Sequence, residues 1–217
     1  MGDTITGVQF GIANPDDILK RSVVEVTTDK TYQSGQPVPN GVFDSRFGVI
    51  ENGKVCPTCK HTNQFCPGHF GHITLARPVY LYQFFDWIEK LSNIICLNCS
   101  HIILYDAVVQ IGKMTSKGID RFKEAREIVA KVRGQGLEKP TQCSTCQTTF
   151  FRKVVRVAGK AATLEGFPIS DADEPPPPVP IQVELILRAF QRMTDTTCNL
   201  LGFNHRFSRP EWMICTV

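Results

Sequence analysis

The chain has 217 residues, 42% of them hydrophobic, with nine cysteines and a formal net charge of +3. That length and apolar content supply a core for one or two domains. No apolar run approaches the roughly 18–20 residues of a membrane span, and Met1-Gly2-Asp3-Thr4 opens no basic and apolar secretory signal. The chain is read as intracellular and without a membrane partner, in a compartment where thiols stay reduced and cysteine clusters are metal sites rather than disulfides.

The first element is a short helix from Pro15, with Asn14 as N-cap and Asp16 and Asp17 in the first turn, where the helix dipole favours carboxylates. A strand is expected over Ser22 to Thr27. The stretch from Gly35 to Gly41 is rich in turn formers. Next comes Cys56-Pro57-Thr58-Cys59, followed after six residues by Cys66-Pro67-Gly68-His69. From Tyr80 to Ile95, the residues Leu81, Phe84, Phe85, Ile88, Leu91 and Ile95 recur at helical spacing. This predicted helix leads directly into Cys96-Leu97-Asn98-Cys99.

A second helix is predicted from Ser116 to Arg133 on the stripe Ile119, Phe122, Val129 and Val132, in the 43-residue gap before Cys143-Ser144-Thr145-Cys146. Phe150 to Val157 alternates as a strand does. Pro168 to Pro180 holds Asp171-Ala172-Asp173-Glu174 and four consecutive prolines, the composition of a stiff, extended linker. Pro180 suits the first position of a helix running to Met193, which would bury Leu185, Ile186, Ala189, Phe190 and Met193. A short helix ends at Gly202. Trp212 to Val217 reads as a strand that stops abruptly, as an interrupted chain would. If it pairs with segments beyond this chain, its exposed edge predicts poor solubility.

Two Cys-x-x-Cys/His pairs bring four soft, deprotonatable ligands into a tetrahedron, the arrangement zinc prefers. One set is Cys56, Cys59, Cys66 and His69. The other is Cys96, Cys99, Cys143 and Cys146, whose intervening segment must leave the site and return. Four protein ligands leave no open position, so the expected cofactors are two structural Zn2+ ions and no catalytic residue. His61 and His72 compete for the fourth place in the first set. His69 is preferred because Pro67-Gly68 completes a two-residue knuckle like that of Pro57-Thr58. A thiol–disulfide enzyme would want one Cys-x-x-Cys opening a helix between alternating strands and helices, which does not fit. Cys198 and Cys215 are left single, as buried small apolar residues.

The charge is uneven. Lys113 to Lys139 carries eight Lys/Arg against four Asp/Glu, but Asp120, Glu124 and Glu127 interleave as on a solvated helix. Arg152, Lys153, Arg156 and Lys160 follow with no acid among them. They are the candidate surface for phosphates, against the plainer reading of a solvated strand and loop.

Three segments carry a resemblance to a known family: Gly7-Val8-Gln9-Phe10-Gly11-Ile12, then Cys56 to His72 with the run Cys66-Pro67-Gly68-His69-Phe70-Gly71-His72-Ile73, and Phe207-Ser208-Arg209-Pro210-Glu211-Trp212-Met213-Ile214. Together they resemble the N-terminal clamp region of the largest subunit of multisubunit RNA polymerases, most of all the eukaryotic polymerase II type, cellular or from a large DNA virus. The Cys143-x-x-Cys146 spacing is instead like archaeal forms. The likeness covers essentially the whole chain, loosely at Lys30 to Asn40 and Asp106 to Leu137.

The resemblance implies a zinc-stabilised α+β fold: an irregular clamp module with a zinc-binding head over 1–167, the acidic proline-rich linker over 168–180 and a helical base over 181–217 cut at its last strand. It implies a module closing over DNA and the RNA–DNA hybrid, with the remainder of the subunit, the second-largest and smaller subunits and general transcription factors as partners. The family's Asn-Ala-Asp-Phe-Asp-Gly-Asp motif is not in this sequence. Catalytic Mg2+ is therefore expected only in the remainder, and the chain alone is expected to be inactive. The implied location is the nucleus for a cellular protein, or the host nucleus, cytoplasm or virion for a viral one. The competing reading is a free-standing zinc-ribbon adaptor for protein or nucleic acid, which should close its last strand within itself.

Overall fold

The computed structural model describes residues 4–134, 140–157, 163–170 and 176–217. It divides into two compact units, Ala13–Arg77 with Cys215–Val217, and Met1–Ile12 with Pro78–Ile214. These boundaries differ from the head, linker and base read in the sequence. Asp171 to Glu174 lie outside the described residues.

In the smaller unit, α1 (Pro15–Arg21) starts as expected, the Asn14 side chain accepting from the Asp17 amide at 2.7 Å. The chain then enters β1 (Ser22–Glu25), which pairs in parallel with β4 (Phe70–His72), Ser22 opposite Phe70 and Glu25 opposite His72. Between them, β2 (Tyr32–Gln33) and β3 (Gln36–Pro37) form a hairpin around Ser34 and Gly35, both at positive φ. The two-residue loop with two positive φ values suits the strand twist. Turn composition marked this place, but two-residue strands are too short to show a period.

Very little of this unit is buried. Among its described residues only Val24, Gly41, Asp44 and Cys56 are shielded from solvent. Four residues, one of them a glycine and one an aspartate, do not make a hydrophobic core.

The larger unit has such a core. After β5 (Val79–Tyr80) and a 3-10 turn, α2 (Phe85–Ser92) buries Phe85, Ile88 and Leu91. The predicted helix was longer, from Tyr80 to Ile95. α3 (Tyr105–Gly112), which the sequence reading missed, buries only Ala107 and Ile111; its other apolar residues include the exposed Tyr105 and Val109, which blur the period. α4 (Gly118–Gly134) buries Phe122, Ala125 and Val129. Ile119 is 57% exposed, so Ala125 takes the place expected for it on the buried stripe.

A three-stranded antiparallel sheet follows in the order β6 (Lys153–Arg156), β7 (Leu164–Phe167), β8 (Val179–Ile181). Pro180 belongs to β8 opposite Glu165, not to a helix start. An edge strand tolerates the missing amide. α5 (Val183–Gln191) therefore begins later, burying Ile186, Ala189 and Phe190, with Leu185 at half exposure, and α6 (Asp195–Leu200) ends before Gly202 at φ +85°. The aromatic rings of Trp87, Phe122 and Phe203 meet at centroid distances of 5.0 to 6.1 Å, joining α2 and α4 to the loop after α6.

A 3-10 turn, Pro210–Met213, precedes β9 (Ile214–Cys215). The last strand is not without a partner, since β9 pairs with β5 in a two-stranded sheet. In the larger unit the Leu81 amide donates to the Met213 carbonyl at 3.0 Å, and in the smaller unit Leu75 donates to Thr216 at 3.1 Å. The strand is thus paired within the chain, as the adaptor reading expected, and this feature does not favour the polymerase reading. Cys198 is fully buried as expected, whereas Cys215 is only half-buried. The architecture is α+β, with helices around sheets of two or three strands, and no described helix is long and apolar enough to cross a membrane.

Candidate metal centres and the basic strand

Three of the four ligand pairs share one backbone form. In Cys56 to His61, the Lys60 amide donates to the Cys56 carbonyl at 2.9 Å and the Cys56 amide to the His61 carbonyl at 2.8 Å. Ser100 and Gln147 make the same return bond to Cys96 and Cys143, at 2.8 and 2.9 Å. Lys60, Ser100 and Gln147 all have φ near +60°. A tight reversal just past the second cysteine turns both sulfurs of each pair inward. Isolated bridges Val55–Thr62, Ile95–Ile102 and Gln142–Thr149 close the base of each reversal.

The fourth pair differs. Cys66 donates to the Thr62 carbonyl and His69 to the Phe47 carbonyl at 2.8 Å, across Gly68 at φ +80°. His72 is engaged elsewhere, its Nδ1 lying 2.7 Å from the Ser22 hydroxyl. The ligand atoms of Cys56, Cys59, Cys66 and His69 lie within 4.8 Å of one another, as do those of Cys96, Cys99, Cys143 and Cys146.

The donor separations fit the edges of a tetrahedron. Metal–sulfur distances of about 2.3 Å imply sulfur–sulfur edges of about 3.7–3.8 Å. Cys96 and Cys146 are 3.6 Å apart, as are Cys99 and Cys143, and Cys66 Sγ is 3.7 Å from His69 Nε2. Disulfide bonding would need about 2.0 Å, and every cysteine is free. Both donor sets thus fit one tetrahedral ion each. Each also holds a thiol that ionises easily. At Cys56 burial opposes ionisation, but the Cys59 and Thr58 amides outweigh it and hold the pKa at about 6. At Cys146 the Thr148 side chain chiefly does the same, again to about 6.

The long gap before Cys143 is closed by two bonds: Ser144 donates to the Ile103 carbonyl at 3.0 Å, and Tyr105 donates to the Ser144 hydroxyl at 3.1 Å. α3 and α4 lie between these anchors, so the segment leaves and returns as the spacing required. The first site is braced differently. Asp44 accepts from the Asn40 and Arg46 amides and from the Arg46 guanidinium, while the Arg46 carbonyl receives the Thr58 hydroxyl at 2.8 Å. Nothing in sequence spacing indicated this turn.

Strand β6 carries Lys153 and Arg156 exposed, with Val154 buried between and Arg152 exposed just before it. Lys160 lies outside the described residues. Although no acid is adjacent in sequence, Arg156 is 3.9 Å from Glu89 on α2 and stands over the Phe85 ring. Asn93 clips α2 to this strand: its side chain donates to the Val154 carbonyl and accepts from the Val154 amide, each at 2.8 Å.

Residues 2–217 match the family model described as RNA polymerase Rpb1, domain 1. The DNA-directed RNA polymerase II subunit RPB1 of Euplotoides octocarinatus is 32% identical over 216 residues, covering 95% of this chain and 44% of that protein. Subunit Rpo1N of Methanothermobacter thermautotrophicus (strain Winter) is 32% identical over 98% of this chain and 23% of its own length. Rpo1N of Methanocaldococcus jannaschii is 30% identical over 97% and 15%. The chain spans less than half the length of these curated relatives.

Proposed function

Because this chain belongs to the RNA polymerase Rpb1 family, matching its domain 1 from residue 2 to 217, we propose that it forms the N-terminal clamp portion of the largest subunit of a DNA-directed RNA polymerase. The observation that carries this is the family match along the chain together with two complete tetrahedral donor sets. A stand-alone adaptor would share the zinc sites but has no reason to share the order of all three family segments.

On this reading the ions are zinc, held by Cys56, Cys59, Cys66 and His69, and by Cys96, Cys99, Cys143 and Cys146. Their role is structural cross-linking. Zinc can contribute roughly 10–16 kcal/mol of folding free energy in small domains, which suits a smaller unit with four buried residues. Head (1–167), linker (168–180) and base (181–217) serve as functional labels. The partners are the remainder of the subunit, the second-largest and smaller subunits, general transcription factors, DNA and the RNA–DNA hybrid. Phosphoryl transfer on paired Mg2+ belongs to that remainder. The protein works wherever that transcription machinery is: the nucleus in a eukaryotic cell, or the host nucleus, cytoplasm or virion for a viral source.

Arg152, Lys153, Arg156 and Lys160 are proposed to face nucleic acid. Arg152→Glu with Arg156→Glu in the assembled polymerase should shorten open-complex lifetime at low salt, and the difference should shrink as salt screens the wild-type contacts. Unchanged lifetimes at every salt concentration would assign these residues to solvent or to another subunit.

A further inference from the structure

Between α2, α4 and β6 of the larger unit runs a groove of about 410 Å³ whose charged walls are Lys90, Lys123, Arg126, Arg133, Arg152 and Lys153, with Glu127 the one acid among its lining residues. Six cations face one carboxylate, although the sequence pattern set apart only Arg152 and Lys153 among them as a phosphate surface and read Lys123, Arg126 and Arg133 as part of a solvated helix. Lys90 pairs with Asp86 and Lys123 with Asp120. Counting those acids against the groove still leaves three positive charges. Arg126, Arg133, Arg152 and Lys153 make no ion pair among the described residues.

Arg133 forms the floor. Its guanidinium donates to the carbonyls of Asn93, Phe151 and Arg152 at 3.2, 2.9 and 2.8 Å and stacks 4.8 Å over the Phe150 ring. Carbonyls satisfy its protons but leave its charge uncancelled, so it adds a fixed positive potential beneath the exposed side chains. The walls are rigid as well, since Asn93 joins β6 to the end of α2.

We propose that this groove seats the sugar–phosphate backbone of a nucleic-acid duplex. The inference rests on the nucleic-acid-facing reading above, and moves its centre from the strand to the α4 wall. Lys123, Arg126 and Arg133 lie on one stripe of α4, and the ten steps from first to last span about 15 Å. One strand of a duplex places roughly four phosphates along that length at about 3.4 Å per step. No aromatic residue lines the groove, so there is no platform on which unstacked bases would lie. Recognition is therefore by backbone charge, without sequence. A flexible acidic peptide would have to be ordered on the same walls at an entropic cost that a preformed duplex avoids.

The test is fluorescence anisotropy of a labelled 20-base-pair DNA duplex with the zinc-loaded full chain across a salt series. Lys123→Gln/Arg126→Gln, groove residues away from the strand, should weaken binding roughly tenfold at low salt. The log–log salt slope should fall by nearly 2, at about 0.9 per lost phosphate contact. Lys20→Gln/Lys54→Gln, in the smaller unit, controls for net charge and should leave the slope unchanged. Equal melting temperature and two zinc per chain establish that each variant is folded. An unchanged slope in the groove variant overturns the proposal. Loss on Arg156→Gln alone overturns it too, while keeping the wider reading. Absence of duplex binding by the wild-type chain at 50 mM salt, or stronger displacement by poly-glutamate than by unlabelled duplex at equal charge, also overturns it.

Discussion

The Arg46 guanidinium grips the Asp44 carboxylate at two points, Nε to Oδ1 at 2.9 Å and Nη2 to Oδ2 at 2.6 Å, while Asp44 itself is 4% exposed. This pair shapes the turn whose carbonyls at Arg46 and Phe47 receive Thr58 and His69 of the first metal loop. The Arg46 side chain chiefly, with the Arg46 and Asn40 amides, holds the Asp44 carboxyl well below the usual carboxylate range despite its burial. A depressed folded pKa gives stability that is complete above the unfolded value of about 3.9 and is lost as pH falls through the folded value. Asp44→Asn should therefore destabilise the smaller unit at neutral pH, by about 1–3 kcal/mol for the unmatched buried donors. Its stability should also fall less steeply than wild type below pH 4. Parallel pH curves of melting temperature for the two proteins would refute this.

Native mass spectrometry should show two zinc ions per chain. Cys96→Ser with Cys143→Ser should remove one and leave the other; retention of both would invalidate the second ligand set. Because the smaller unit buries only Val24, Gly41, Asp44 and Cys56, chelation should abolish hydrogen-exchange protection around residues 41–72 first. α2 and α5, packed in the apolar core, should stay protected longer.

Gly202→Ala should be among the most damaging single-methyl additions in the chain. Its φ of +85° disfavours a side chain, and the added carbon would lie 2.3 Å from the Gly118 carbonyl oxygen at the start of α4. Phe190→Ala, at a fully buried ring, should cost about 3–5 kcal/mol by leaving a cavity. Chemical denaturation measures both. A Gly202→Ala protein of wild-type stability would mean that α4 can shift away from the loop.

Purified chain should incorporate no nucleotides on a template, because the family's carboxylate-rich motif is not in this sequence. Template-directed synthesis persisting after contaminating polymerase has been excluded would overturn that expectation.

Ligand spacing and helical period were readable without coordinates. Cys-x-x-Cys repeats announced both donor sets, and the stripes of α2 and α5 gave Ile88, Leu91, Ile186 and Phe190 as core residues, all now fully buried. What stayed hidden depended on contacts distant in sequence. Pro180 looked like a helix start until β7 supplied a partner strand. Arg156 looked unpaired because Glu89 lies 67 positions earlier and is brought near only by the packing of α2 on β6. Asn93 and Arg133, the two residues that fix the strand beside α2 and α4, belong to no motif. They act through backbone carbonyls that any sequence would offer.

Near the start of the chain, the Ile12 amide donates to the Phe207 carbonyl at 2.7 Å, and a side chain at Gly11 would strike the same oxygen at 2.6 Å. The acceptor is made about 195 residues after the donor. At ribosomal speeds of roughly 5–20 residues per second, some 10–40 s pass before it exists. Throughout that interval Ile5, Val8 and Phe10 lack this anchor, and each is more than 80% exposed in the folded structure. This apolar segment thus stays without its backbone anchor until Phe207 has been added.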